Sequence, residues 1–378
     1  MFKSVDRKKT SCYKYDFVEG NYVSFYIADS DYKVPNKIKE ALIKRVNHQV
    51  YGYTFIDDDY YDIIINWVKK QYGYEIRKRD IIPTSGVVNS LYYALLMLKD
   101  KSSSVVIQTP VYNQFYGLVE RAGFTLVENK LINDDGYFKM NFEALEDIFE
   151  SGTRIMILCS PHNPVGRVYS YEELERLVQL AKKYGVFILS DEIHCDIILN
   201  GNKFTSINQF YKIYERIFVF TSPSKTFNIA GLKASHAIII NEEYNQRYRD
   251  IIEKNYFSLS NPFSIEAVKA AYKCHKWLKK QKKHLSKNYK IIKKHFKAHP
   301  KAILSKTEAT YLAWLDLSYL NKSCETIYEE LLKKGILIAG GKSYGEDCES
   351  FIRINFACGK KELKAGLAII SEYLKEHD

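Results

Sequence analysis

A chain of 378 residues, 46% hydrophobic and 27% charged, is long enough for one large domain plus a smaller one and has the balance of an ordinary globular protein. No apolar run approaches the ~20 residues that cross a bilayer, and Met1–Cys12, with Lys3, Arg7, Lys8 and Lys9, lacks the apolar core of a secretion signal. The net charge of +11 suggests a polyanion, yet eleven lysines and no acid lie between Lys276 and Lys301, so the excess is local.

In chain order, Pro35 opens a helical pattern through Ile38, Ala41, Leu42 and Val46. Asp57, Asp58 and Asp59 place acids at the start of the next helix, which ends near Gly73. Short, β-rich, mostly continuous apolar runs follow at 104–109, 154–160, 186–192, 216–221 and 234–240. Runs of that kind suit strands buried on both faces. Helical segments alternate with several of them, and Ser170 with Glu173 forms a capping-box start for the one ending near Gly185. The expected fold is therefore α/β, a large domain with a mostly parallel sheet flanked by helices. In the lysine-rich segment Leu278, Leu285, Tyr289, Ile292 and Phe296 recur at helical spacing. It reads as a helix with a solvated basic face, and nucleic acid is not the expected partner. A smaller α+β domain follows: strands at 310–317 and 351–356, a helix through Lys334, and a final helix. The expected division is 46–275 for the large domain and 1–45 with 276–378 for the small one. Seven scattered cysteines, odd in number, point to reduced thiols and a cytoplasmic protein.

No Walker motif and no GxGxxG follows a strand, so nucleotide binding of those kinds is unsupported. The run from Asp191 to Asp196 includes His194 and Cys195, but alternating strand residues face opposite sides and HExxH spacing is absent, so no metal site is expected.

What remains sits at strand ends, where α/β sheets place ligands. Lys225 follows the run Arg216–Thr221, flanked by Ser222 and Ser224. A lysine there can bond covalently to an aldehyde cofactor, although a lone lysine is ordinarily a surface residue. Asp191 ends another strand, and Asn163 lies in Ser160-Pro161-His162-Asn163-Pro164. Tyr112 follows Thr109-Pro110, Gly86-Val87-Val88 opens a helix, and Arg353 lies on a late strand. Singly, each has an ordinary structural explanation. Together they match the demands of pyridoxal 5′-phosphate: a lysine for the aldehyde, a carboxylate for the ring nitrogen, helix-terminal amides and hydroxyls for the phosphate, and an arginine fork for a substrate carboxylate.

From about residue 20 to 375 the chain resembles the fold-type I pyridoxal-phosphate enzymes of the class I/II aminotransferase superfamily, most of all the cystathionine β-lyase or C–S lyase branch. The motifs are ordered: Ala28-Asp29-Ser30-Asp31, Gly52-Tyr53, Thr109-Pro110-Val111-Tyr112, Ser160 to Pro164, Ser190-Asp191-Glu192-Ile193-His194, the Lys225 motif, Thr310 to Asp316, and Arg353-Ile354-Asn355. The resemblance implies that Lys225 carries the cofactor and acts as catalytic base, Asp191 pairs with the ring nitrogen, and Asn163 bonds the ring hydroxyl. It further implies that Tyr112 stacks on the ring, that Ser222, Ser224, Lys233 and the amides of Val87 and Val88 hold the phosphate, and that Arg353 grips the substrate. Tyr53 would reach the site of a neighbouring subunit, which implies a homodimer. Ser30 stands where relatives commonly have methionine, and Lys233 where many carry arginine. The implied reaction is β-elimination from L-cystathionine or a related cysteine thioether, giving a thiol, pyruvate and ammonia. An aminotransferase built from the same parts is the alternative, and a cofactor-binding regulatory protein is a third.

Overall fold

The computed structural model describes residues 2–257 and 261–377. Seven strands form the main sheet: β1 (Ile81–Thr84), β2 (Ser104–Thr109), β3 (Thr125–Lys130), β4 (Ile155–Cys159), β5 (Phe187–Asp191), β6 (Ile217–Thr221) and β7 (Ser235–Ile239). Their spatial order is β1-β7-β6-β5-β4-β2-β3. The pairs from β6 through β3 are parallel, and β7 is antiparallel to both β6 and β1. Two reversals restore the direction, so β1 runs with the parallel strands and β7 alone opposes them. The carboxyl ends of β1, β2, β4, β5 and β6 consequently lie on one edge of the sheet.

The continuous apolar runs behave as expected of strands covered on both sides. Met156, Leu158, Ile188 and Val219 pack into one core, while Ile155, Ile157, Phe187, Leu189 and Phe218 pack into another. β1 and β3 were not among the expected strands. β1 contains Pro83, which an edge strand tolerates because its outer side needs no donor, and β3 is the other edge and largely half-exposed. Helix boundaries follow local chemistry more closely. The Ser170 side chain accepts from the Glu173 amide at 3.1 Å, Glu173 accepts from the Ser170 amide at 2.7 Å, and helix Tyr171–Tyr184 ends on Gly185 at φ 69°.

A second sheet contains β8 (Ile303–Leu304), β9 (Leu312–Asp316), β10 (Ala339–Gly340) and β11 (Phe351–Asn355), all antiparallel in the order β8-β9-β11-β10. Its core takes in Leu285, Tyr289, Ile292 and Phe296 of the lysine-rich helix His275–Phe296. The apolar stripe is thus buried against this sheet and the basic face is left outside. Near the N-terminus Val23–Ser24 pairs in parallel with Ile336–Leu337, and Phe25 enters the same core. Helix Asn36–Asn47 packs instead on helix Pro262–Ala271.

Candidate active site

A cavity of about 810 Å³ opens between the carboxyl edge of the main sheet and β10–β11. Lys225, Asp191, Asn163, Tyr112, Val87, Val88, Ser222, Ser224, Lys233 and Arg353 all line it. Of the residues that the sequence assigns to the cofactor and substrate, Tyr53 alone does not: it is fully exposed, at 107%.

Several of these side chains are placed by short turns at strand ends. After β2, the Val111 amide donates to the Tyr344 carbonyl at 2.8 Å and Tyr112 turns into the cavity, edge-on to Phe115 at 5.7 Å. Burial, reinforced by the charge of Asp191, pushes the Tyr112 phenol up to about 12. After β4, the chain folds back so that the Gly166 amide donates to the His162 carbonyl at 2.7 Å. His162 ties the two turns together, with Nε2 2.8 Å from the Pro110 carbonyl and Nδ1 2.8 Å from the Tyr169 hydroxyl. Burial holds that imidazole down to about 4, so it serves as a neutral staple.

Asn163 and Arg353 meet across the cavity. Arg353 Nη1 donates to Asn163 Oδ1 at 3.3 Å, and Nη2 donates to the Tyr26 carbonyl at 2.8 Å. Occupying Oδ1 leaves the Asn163 Nδ2 donors for a ligand. The guanidinium lies over the Tyr344 ring at 5.0 Å, and its buried Nε has no partner among the described residues. That combination is a fixed, desolvated cation with an unsatisfied donor, the arrangement that takes a carboxylate.

Asp191, at the end of β5, is buried, and its Oδ1 accepts the Ile193 amide at 3.0 Å. Burial raises its carboxyl to about 7, against a smaller opposing pull from Lys225. Lys225 sits in the single-turn helix Ser224–Phe227 and donates from Nζ to the Ala28 carbonyl at 2.7 Å. Desolvation lowers its pKa and Arg353 adds to that, while Asp29 and Asp191 oppose it. Ala28 also receives the Tyr311 hydroxyl at 2.9 Å, and Asn355 Nδ2 reaches the neighbouring Asp29 carbonyl at 2.7 Å. The Ala28–Asp31 motif therefore contributes a backbone acceptor to the site.

The part of the cavity wall that the sequence assigns to a phosphate is assembled from three pieces. Helix Val87–Met97 begins at Gly86, and its first backbone hydrogen bond is Ser90 to Gly86, which leaves the Val87 and Val88 amides pointing out of the helix end. Ser224 and the exposed Lys233 add a hydroxyl and a cation to the wall. Ser222 also lines the cavity, but its hydroxyl donates to the Ala234 carbonyl at 2.6 Å and accepts from the Ser224 amide at 3.0 Å. It shapes the loop in this state. Sequence reasoning weighed His194 as a metal ligand and as part of the Ser190–His194 motif but gave it no role in the site; it lines the cavity beside Lys225 and Arg353, buried, with Nδ1 unpartnered among the described residues. Burial, with those two cations, holds it down to about 3, so it is a neutral imidazole. Tyr26 and Tyr344 were likewise missed, because isolated tyrosines carry no spacing signal.

Residues 21–370 match the family described as Aminotransferase class I and II. The chain belongs to that family. Within it, the chain is 34% identical to the cystathionine beta-lyase PatB of Bacillus subtilis (strain 168), over 98% of this chain and 99% of that protein. The crystal structure of a PLP-bound C-S lyase from Staphylococcus hominis superposes with a TM-score of 0.92 at 32% identity, covering 99% and 98% of the two chains. Cystalysin from Treponema denticola, a structure that contains pyridoxal 5′-phosphate, superposes at 0.94 with 29% identity, covering 100% and 99%. The fold of an aminotransferase-family enzyme is thereby shared along nearly the whole length.

Proposed function

We propose that this protein is a pyridoxal-phosphate-dependent carbon–sulfur lyase that eliminates the β-thiolate from L-cystathionine or a related cysteine thioether, giving a thiol, pyruvate and ammonia. The observation that carries the reading is the convergence of Lys225, Asp191 and Arg353 on one cavity. Full-length similarity to a cystathionine β-lyase and to C–S lyase structures supports the reaction class.

The residues fit the cofactor. Asp191 is a buried carboxylate whose only hydrogen bond among the described residues comes from a backbone amide, so a protonated ring nitrogen would give it the cation it lacks. Asn163 Nδ2 suits the ring hydroxyl, Tyr112 the ring face, and the Val87 and Val88 amides with Ser224 and Lys233 the phosphate. When bound, pyridoxal phosphate supplies an electron-accepting ring that stabilises negative charge at the substrate Cα. Arg353, locked by Asn163 and Tyr26, orients the substrate carboxylate. Lys225, with an ammonium destabilised by burial, is the group suited to take the Cα proton as a neutral amine and to hold it while the β-thiolate leaves. Lys225→Ala should remove the visible absorbance of the purified enzyme and lower pyruvate release from cystathionine by about 10³-fold or more. Retention of both would overturn the assignment. Pyruvate formation without an added keto acid distinguishes elimination from transamination.

The active unit in this reading is a homodimer. Tyr53 stands fully exposed among Ile43, Val46, Val50, Tyr51 and Phe55, all of which are exposed. Several large apolar side chains left exposed over residues 43–55 are what a partner would cover, and Tyr53 would then reach the partner's phosphate. A cytoplasmic location is supported by seven free, buried cysteines. Among the described residues no helix is long and apolar enough to cross a membrane.

A further inference from the structure

The loop after β5 carries Asp191 at one end and a second carboxylate, Asp196, five residues later. Asp196 is 5% exposed and turned away from the cavity. Its Oδ1 accepts from the Tyr72 hydroxyl at 2.5 Å and from Trp67 Nε1 at 3.2 Å. Its Oδ2 accepts from the Thr226 hydroxyl at 2.9 Å. All three donors are neutral. A buried acid so held is costly, because among the described residues no cation pairs with it directly and Lys282 acts only from a distance, and a structural role alone would be met as well by an amide or by apolar packing.

The position of Thr226 gives the carboxylate a use. Thr226 follows Lys225 in the single-turn helix Ser224–Phe227. One turn has no stability of its own, since nucleation cost exceeds the gain from a single backbone bond. Outside contacts hold it: Phe227 packs against Trp67 and Trp277 at 6.0 and 5.8 Å, and Asn228 donates to the Tyr32 carbonyl at 2.9 Å. The Asp196–Thr226 bond is the contact that leads back to the Asp191 loop. That loop is closed by the Cys195 amide on the Glu192 carbonyl at 3.0 Å and the Ile197 amide on the His194 carbonyl at 2.9 Å. Asp191, Asp196, Thr226 and Lys225 thus form one short, hydrogen-bonded strut.

We propose that Asp196 is a positioning residue whose bond to Thr226 sets where Lys225 stands relative to Asp191, the two groups that would hold different atoms of one cofactor. The inference rests on the pyridoxal-phosphate reading above.

The test uses holoenzyme carrying Thr226→Val, Thr226→Ser, Asp196→Asn or Tyr72→Phe, with cystathionine as substrate. Thr226→Val should lower kcat about 10- to 100-fold, leave KM within about threefold, and speed cofactor loss on dilution by a similar factor. Thr226→Ser, which keeps the hydroxyl, should restore both values to within about threefold. Tyr72→Phe removes a donor from the other oxygen and should lower the melting temperature without the kcat loss. Unchanged kcat and cofactor loss in Thr226→Val overturn the strut, as does an equal kcat loss in Tyr72→Phe. If Thr226→Val does not fold, Asp196→Asn decides by the same two measurements. Wild-type protein that binds no cofactor, or releases no pyruvate from any thioether, would instead overturn the lyase reading itself.

Discussion

At the scale of single residues, the site is an argument about desolvation. Asp191 is raised to about 7 by burial, so between about pH 4 and 7 the folded, cofactor-free protein holds a proton that the unfolded chain has released. Stability from this group is therefore present below about pH 4 and lost as pH rises through 7, by at most about 4 kcal/mol. In cofactor-free protein, Asp191→Asn should raise the melting temperature relative to wild type at pH 8 and leave it nearly unchanged at pH 4.5. In the loaded enzyme the sign should reverse, because the ring cation proposed to pair with Asp191 would then be stabilising, and the same variant should lose both cofactor affinity and activity. A pair of calorimetric scans, with and without pyridoxal phosphate, checks both signs. Arg353 offers a second measurement. It is held by two acceptors, Tyr26 and Asn163, and sits over Tyr344, so a lysine could replace the charge but not the fork. Arg353→Lys should lower kcat/KM about 10²-fold or more, with cofactor absorbance retained.

At the scale of elements, several side chains of the cavity owe their positions to short turns that the rest of the fold locks. The turn carrying Asn163 is the plainest case. Gly166 adopts φ 75°, and its carbonyl accepts the amides of Glu308 at 2.8 Å and Ala309 at 3.0 Å. A Cβ there would lie 2.9 Å from the Thr307 methyl group and 3.0 Å from the Thr307 Cα. Gly166→Ala combines left-handed strain with a backbone clash and should destabilise the protein by about 2–3 kcal/mol, read as a shift of the urea midpoint. Next to it, the buried Arg167 is paired with Glu173 at 2.7 Å and Glu308 at 3.2 Å, so the turn is anchored to both the following helix and the segment before β9. Capping chemistry made some elements legible without any of this: Ser170, Glu173 and Gly185 mark one helix, and Asp57 and Gly73 mark another. The Lys225 turn has no such signal. Four residues are too few for a periodic pattern, and the contacts that hold it come from residues 32, 67, 196 and 277.

At the scale of the whole molecule, the cavity exists because two sheets share it. The main sheet supplies Lys225, Asp191, Asn163 and Tyr112, and β11 supplies Arg353. The N-terminal segment closes it: Arg7 pairs with Asp29 at 2.8 Å, and the fully buried Lys14 with Asp31 at 3.0 Å, on either side of Ser30. The proposed division into residues 46–275, and 1–45 with 276–378, places Ala28 and Arg353 in one unit and Lys225 in the other, so relative movement of the two would open or tighten the site. The partner-facing role proposed for Tyr53 is tested at the same scale. Tyr53→Phe should weaken pyridoxal phosphate binding about tenfold while light scattering still gives a dimer mass, since only one hydroxyl is removed and the apolar ring stays.

The sequence by itself determined the strands that are buried on both faces, the capped helices, the apolar stripe beneath the lysine-rich surface and the residue types gathered at strand ends. Those are local signals, written in periodicity and capping. Only the tertiary structure decided that β1 runs with the parallel strands and brings the Val87 amides to the same edge, that Arg353 occupies the Asn163 oxygen, that the Ser222 proton belongs to Ala234, and that Asp196 reaches Thr226. Each of these depends on groups far apart in the chain meeting at hydrogen-bond distance. The desolvation that tunes Lys225 and Asp191 is decided at the same moment, because no residue buries itself.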